Sequence, residues 1–449
     1  MNRHQIPASM FTSLAQGAGG PAAINHLAAA EYSRHMLLVR GVVDIARDAT
    51  HPQQGRARQA YDVLASIQEQ APRHAETVLR YPAVGAWARR TLLALTEGQQ
   101  RPGAEPGGLA RVAAAAAIRA GFACTIEVPV TGGTVTFPSL GQAVLPGRHG
   151  MATVRCCPDG AELIAGKRCV LIPNSPQLDS PGWRGIRGIT ARWAGTTIRL
   201  LVDDLDPYRI PMSSLCPRLT TGETRGWQSS LRGAWRILMR HHRAVAEEIR
   251  SAIVVLVPRQ QPARGTVSAT ARETFGCVAL SAPSRPLELA VALAHEIQHA
   301  KLCAVLDIVR LTLPDDGRRY YAPWRDDPRP LNGLLQGAYA YLGVSGFWRR
   351  QRHHATGAEA LQAHAEFARW RLAVLYVTAK LLDSGQLTLA GHDFVSTMAA
   401  VVRAWRDDPV PAEAADRARD AAGRHLESWS LRWGSAAQIG GESKSIPMR

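Results

Sequence analysis

Across residues 22–97 the apolar positions, among them Leu27, Tyr32, Met36, Leu37 and Val42, recur at the three-and-four spacing of one helix face, with few β-branched runs. This predicts a helical amino-terminal domain over 1–121. Its last member is an alanine-rich helix over 109–121, reached through a loop at 99–108 that carries Pro102, Pro106 and three glycines. The period then changes to two. Residues 125–130, Gly132-Gly133 and 134–137 predict two strands joined by a tight turn, and 189–193, Ala194-Gly195 and 196–202 predict the same, so 122–222 reads as a β-rich middle region. After Trp227 helical spacing returns to about Ile249. An apolar strand at 252–257, a second around 275–280 and a long apolar helix follow, within a catalytic domain assigned to 223–439. The polar, glycine-bearing stretch 440–449 reads as a disordered tail. The predicted class is α+β, mainly helical, with a motif helix against a small sheet.

With 449 residues, 46% apolar and 20% charged, the chain has ample material for a folded core, which excludes disordered or fibrous classes. The basic excess, 53 against 37, is almost wholly arginine. The arginines are dispersed, as in Arg89-Arg90, Arg318-Arg319 and Arg349-Arg350, and make no basic run with interleaved aromatics, so a solvated surface is expected rather than a nucleic-acid groove. The seven cysteines contain no C-x-x-C pair, the first twenty residues lack the pattern of a signal peptide, and no uncharged apolar run reaches bilayer length. A cytoplasmic, unanchored protein with reduced thiols is the expectation.

The sharpest chemical signal is His295-Glu296-Ile297-Gln298-His299, preceded by Leu287, Leu289, Val291 and Leu293 and followed by Leu302 and Val305. Ser284 is placed to cap this helix and Pro286 to occupy its first turn, giving a helix over about 286–306. Histidines four apart then share one face and can chelate one divalent metal, with Glu296 beside them. The bland alternative is two unrelated histidines and a surface glutamate, against which stands the apolar context. A third ligand must come from elsewhere, because Leu302 and Val305 occupy the glycine and histidine positions of the extended zinc-protease pattern. Glu359 and Glu366 are candidates, although both lie in a regular amphipathic helix; His353, His354 and His364 are nearby in sequence.

A second informative stretch is 320–331, where Pro323, Pro328 and Pro330 impose an irregular loop carrying Arg325 and Arg329, whose planar forks suit a carboxylate. Asp326 and Asp327 offer them ordinary salt bridges instead. Beyond it Gln336 stands among leucines and alanines, and a buried amide needs partners.

At these residues the chain resembles the bacterial HExxH-motif proteins found beside ribosomal peptide precursors and radical-SAM maturases, a family understood as 2-oxoglutarate-dependent peptide β-hydroxylases. The similarity covers most of the chain. It includes the Phe11-Thr12-Ser13-Leu14-Ala15-Gln16-Gly17-Ala18-Gly19-Gly20 segment, the motif helix ending His299-Ala300-Lys301-Leu302, and the block from Tyr321-Ala322-Pro323-Trp324-Arg325 to Gly333-Leu334-Leu335-Gln336-Gly337. The resemblance implies iron(II) held by His295 and His299, with 2-oxoglutarate and dioxygen as cosubstrates and a ribosomally made precursor peptide as substrate. Gln336 stands where family members carry a metal-binding histidine. It is one candidate third ligand, and Glu296 entering the coordination sphere is another. Arg325 or Arg329 is then expected to clamp the remote carboxylate of 2-oxoglutarate.

The rival enzyme reading is a zinc peptidase in which Glu296 activates a metal-bound water as general base. A third reading is a non-catalytic peptide-binding partner of a maturase. Edge strands of the middle region suit strand addition by a peptide, against the simpler reading of a structural insert.

Overall fold

The computed structural model describes residues 4–99, 104–211, 215–262 and 266–434; the stretch expected to be a tail, 440–449, lies outside the described residues. The fold is α+β and mainly helical. The chain opens with helices α1 (Ala8–Ala15), α2 (Gly20–Asp48), α3 (Gln54–Gln70), α4 (Pro72–Leu79), α5 (Pro82–Thr96) and α6 (Leu109–Ala120). Strands follow: β1 (Cys124–Val130), β2 (Thr134–Phe137), β3 (Gly141–Val144), β4 (Gly150–Cys157), β5 (Gly160–Ala165), β6 (Arg168–Ile172), β7 (Trp183–Gly185), β8 (Arg187–Trp193) and β9 (Thr196–Val202). Then come α7 (Thr221–His241), α8 (Arg243–Ala252), β10 (Val255–Arg259), β11 (Ser268–Ala269), β12 (Cys277–Ser281), α9 (Pro286–Ile308), α10 (Leu331–Gln351), α11 (Gly357–Leu382), α12 (Leu389–Ala404) and α13 (Ala412–Trp433).

Three sheets result, in the orders β1-β4-β5-β6, β2-β3-β7 and β11-β12-β10-β9-β8. The first two are antiparallel throughout. The third is mixed: β9, β10 and β12 run parallel, with β8 and the short edge strand β11 antiparallel at its two sides. The expected β8–β9 hairpin forms, in register from Arg187↔Val202 to Trp193↔Thr196. The expected β1–β2 hairpin does not. Only Thr131 and Thr134 bridge across its turn, while β1 pairs along its whole length with β4 and β2 pairs with β3. The eight-residue β4 gives β1 a full-length ladder that the four-residue β2 lacks.

Two further boundaries differ from expectation. The helix predicted up to Ile249 breaks at His242 into α7 and α8. The His242 ring is buried there, stacked on Phe347 at 3.9 Å and bonded to Gln351 at 3.0 Å, and its backbone leaves the helical region to reach that position. The strand predicted from Ala252 starts at Val255, because Ala252 still belongs to α8. At the motif helix, Arg285 rather than Ser284 is the capping residue; the Ser284 hydroxyl donates to Glu288 at 2.9 Å, and Pro286 takes the first turn as expected.

The hydrophobic cores do not follow the three expected domain boundaries. One core joins α2–α6 to β1–β7, with the small side chains of α6 buried from Leu109 to Ala117 so that helices close on it from one side and strands from the other. A second lies between the five-stranded sheet and α7, α8 and α9, so β8 and β9 pack with the motif helix rather than with the middle region. A third gathers α1, the start of α2, and α9 to α12. By length and composition α9 is apolar enough to cross a bilayer, and 67% of that window is buried inside the fold.

The motif helix is fixed to the start of the chain by a buried charge. The Lys301 ammonium is fully buried and donates to the carbonyls of Gly17 (2.8 Å) and Ala18 (3.1 Å) and to Glu248 (2.8 Å). The other Glu248 oxygen accepts from the Gly20 amide at 2.8 Å, and the Gln298 amide also donates to the Gly17 carbonyl. The turn between α1 and α2 holds φ at +78° at Gly17, +129° at Gly19 and +65° at Gly20, a conformation that favours glycine. Lys301→Met leaves a buried carboxylate without its cation, and urea unfolding is expected to show a loss of about 3–5 kcal/mol; adding Glu248→Leu should recover part of that loss, because the uncompensated charge is then gone.

Two buried histidines away from the motif contribute to loss of stability in acid. His35 is held at about pKa 4 by burial, with Nδ1 on the Leu79 carbonyl at 2.8 Å and its ring against Gly85, where a Cβ would stand 2.1 Å from Nε2. His242 is likewise lowered to about 4 by burial. Both are neutral in the fold and take up protons on unfolding, so their contribution is complete above pH 6.5 and lost as pH falls towards 4. The urea midpoint should fall across that window, and replacing either histidine by glutamine should flatten the slope.

Candidate metal centre

On α9, residues 295 and 299 lie one turn apart, and their rings meet edge to face with Nε2 atoms 3.1 Å apart. Bonds of about 2.1 Å from two imidazoles to one ion place neighbouring nitrogens about 3 Å apart, so this separation fits a shared divalent metal. Burial, reinforced by the neighbouring His299, holds the His295 pKa down to about 4, keeping its ring neutral with a lone pair to offer. Across the second ring, His299 Nδ1 lies 3.1 Å from Gln336 Oε1. An amide oxygen only accepts, so Nδ1 carries a proton and the ring is turned with Nε2 toward His295.

The candidate residues are therefore distributed as follows. His295 and His299 converge. Gln336, considered as a third ligand, reaches the far nitrogen of His299, and its own NH2 donates to the Cys303 sulfur at 3.6 Å. Burial raises the Cys303 thiol to about 12 and keeps it protonated. Glu296 is buried, and its two oxygens accept from the hydroxyls of Ser268 and Thr270, both at 2.6 Å; its nearer oxygen is 3.9 Å from His295 Nε2. Ser268 lies in the edge strand β11 and Thr270 just past its end, and both hydroxyls reach Glu296. Glu359 sits at the start of α11, paired with Arg285 at 2.5 Å. Glu366 accepts from Gln362 and from the Trp370 indole, both at 2.6 Å. Arg325 and Arg329 both bond Asp327, each at 3.0 Å. His354 stacks on His241 and His353 lies edge-on to His364, a separate cluster. Among the described residues no third His, Cys, Asp or Glu joins the motif histidines in a metal-binding group.

An aromatic wall leads away from the pair. The Tyr341 ring stands edge-on to His295 at 5.2 Å, stacks on Trp324 at 4.9 Å and touches Trp370 at 4.3 Å. Trp324 can lie against α10 only because residue 337 is glycine: a Cβ there would come 2.2 Å from its indole nitrogen. The 320–331 loop is pinned in front of this wall by the Tyr320–Arg329 backbone pair and by α13, where the Tyr321 hydroxyl meets His425 Nδ1 at 2.8 Å and Trp433 donates to the Asp326 carbonyl.

Behind the pair, toward α2, lies a charged knot. Glu31 is buried and pairs with Arg34, which also reaches Asp307, itself paired with Arg272. Burial, only partly offset by Arg34, raises the Glu31 carboxyl to about 7. Sequence reasoning missed Ser268, Thr270 and this knot, since each joins the site from a distant segment. It missed Cys303 too, although that residue continues the four-residue stripe of His295 and His299.

Comparison of the sequence with family models finds no match, and comparison with curated proteins finds none either.

If Gln336 orients His299 rather than binding the ion, Gln336→Leu should weaken cobalt(II) or zinc(II) binding by about 10–100-fold without abolishing it, whereas His299→Ala should abolish it. Equal, complete loss in both variants, read by calorimetric titration, would instead identify Gln336 as a ligand.

Proposed function

We propose that this chain is an iron(II)- and 2-oxoglutarate-dependent oxygenase that hydroxylates a β-carbon in a ribosomally made precursor peptide. In this reading His295 and His299 hold the metal, and the mixed five-stranded sheet with its edge strand β11 beside the motif helix is a zincin-like scaffold. The observation that carries the reading is the convergence of two imidazole nitrogens with no third acidic or histidine ligand among the described residues, which suits a site completed by a chelating cosubstrate. When bound, the metal with 2-oxoglutarate and dioxygen supplies the oxidising chemistry: one oxygen atom enters succinate as carbon dioxide leaves, and the other enters the peptide. The chain's own work is to keep the His295 ring neutral by burial, to orient His299 through Gln336, and to shield the site with Tyr341, Trp324 and Trp370.

The zinc-peptidase alternative needs Glu296 to take a proton from a metal-bound water. Glu296 is buried with both oxygens engaged by hydroxyls, which supports a part in anchoring the motif helix to β11 over a part as base. Incubation of the protein with iron(II), 2-oxoglutarate, air and candidate precursor peptides is expected to yield peptide-stimulated succinate and a peptide heavier by one oxygen atom. Peptide cleavage supported by zinc, without succinate and lost in Glu296→Gln, would overturn the proposal.

A further inference from the structure

The two arginines that the sequence offers as carboxylate clamps are already engaged, since Arg325 and Arg329 share Asp327. A different cation stands beside the aromatic wall. Arg369 lies on α11, partly buried, with its guanidinium carbon 4.3 Å from the Trp370 ring centroid. Trp370 beside it packs on Tyr341 of α10, which stacks on Trp324, so Arg369 stands near where α11, α10 and the 320–331 loop meet. Among the described residues it has neither a carboxylate partner nor a hydrogen bond. Neighbouring acids are bound elsewhere: Glu366 to Gln362 and Trp370, Asp327 to the two loop arginines.

A guanidinium held against an indole face keeps its edge free, and that edge matches the two oxygens of a carboxylate. In its half-buried position the fork is left to water, which a carboxylate ligand can displace. Tyr341, in contact with both Trp370 and His295, makes one continuous surface from this fork to the histidine pair.

We propose that Arg369, with the wall of Trp324, Tyr341 and Trp370, forms a carboxylate-binding subsite beside the histidine pair, and that Arg369 rather than Arg325 or Arg329 anchors the acidic end of the bound molecule. The inference deepens the oxygenase reading and rests on it for the location of the chemistry. The carboxylate has two possible sources, a small dicarboxylate cosubstrate or an acidic side chain of the peptide substrate.

The test is calorimetric titration of the full chain, with and without manganese(II), using 2-oxoglutarate, glutarate and a short glutamate-containing peptide as probes. Arg369→Gln is expected to weaken the probe that binds by about tenfold or more, and Arg325→Gln and Arg329→Gln to weaken it less. Arg369→Lys keeps the stem on Trp370 and the charge but not the fork, and should fall between. Loss confined to the dicarboxylates identifies the cosubstrate as the source; loss confined to the peptide identifies the substrate. Unchanged binding in Arg369→Gln, or no binding of any probe to the wild-type chain, overturns the subsite. The oxygenase reading fails separately: glutarate then still depends on Arg369, while 2-oxoglutarate gains nothing from manganese and no succinate forms.

Discussion

The buried Lys301–Glu248 pair is the constraint on which the rest of the site depends. A lysine with no exposed surface stays charged only if its three donors are satisfied, and here they are taken by two backbone carbonyls and one carboxylate. Those partners lie on the α1–α2 turn and on α8, so one ammonium joins the motif helix to the amino-terminal segment and to the helix leading into β10. Burial lowers the Lys301 pKa and the carboxylate opposes that shift, so neither residue is stable in place without the other. Tyr339 adds a further tie from α10, donating to the Leu14 carbonyl at 2.6 Å. The consequence is that α9 and α10, which carry His299 and Gln336, are both referenced to the end of α1 and the turn that follows it.

That arrangement brings together two segments that carry no evident chemistry of their own. The glycines at 17, 19 and 20 supply a turn whose carbonyls face inward, and His299-Ala300-Lys301-Leu302 supplies the cation that meets them. The helical regions, the β8–β9 hairpin and the motif helix were legible because each follows from local periodicity. The sharing of cores between segments and the pairing of β1 were not, since they depend on which distant surface an element buries: α6 reads as a simple alanine-rich helix, yet it lies between helices and sheet in one core.

At the site, the histidine pair was legible from spacing alone, and the roles of its neighbours were not. Nothing in the sequence indicates that Ser268 and Thr270 would cross from the sheet edge to take both oxygens of Glu296. Likewise, the two arginines and the two aspartates of the 320–331 loop leave open which cations stay available for a ligand. The answer comes from a single carboxylate, Asp327, which is close enough to serve both Arg325 and Arg329.

The motif helix itself shows how one element carries several functions. Four-residue steps advance about 40° beyond a full turn, so His295, His299, Cys303 and Asp307 form a slowly winding polar stripe. Its first half faces Tyr341 and Gln336, and its last residue faces Arg34 of α2 and Arg272. Apolar residues of the same helix fill two separate cores, Leu289, Leu293 and Ile297 against the sheet and Leu302 and Val305 against α10 to α12. A helix buried on so many sides has little freedom to shift or rotate. Its two Nε2 atoms are therefore held together by the fold itself, which is the preorganisation that the proposed metal site requires.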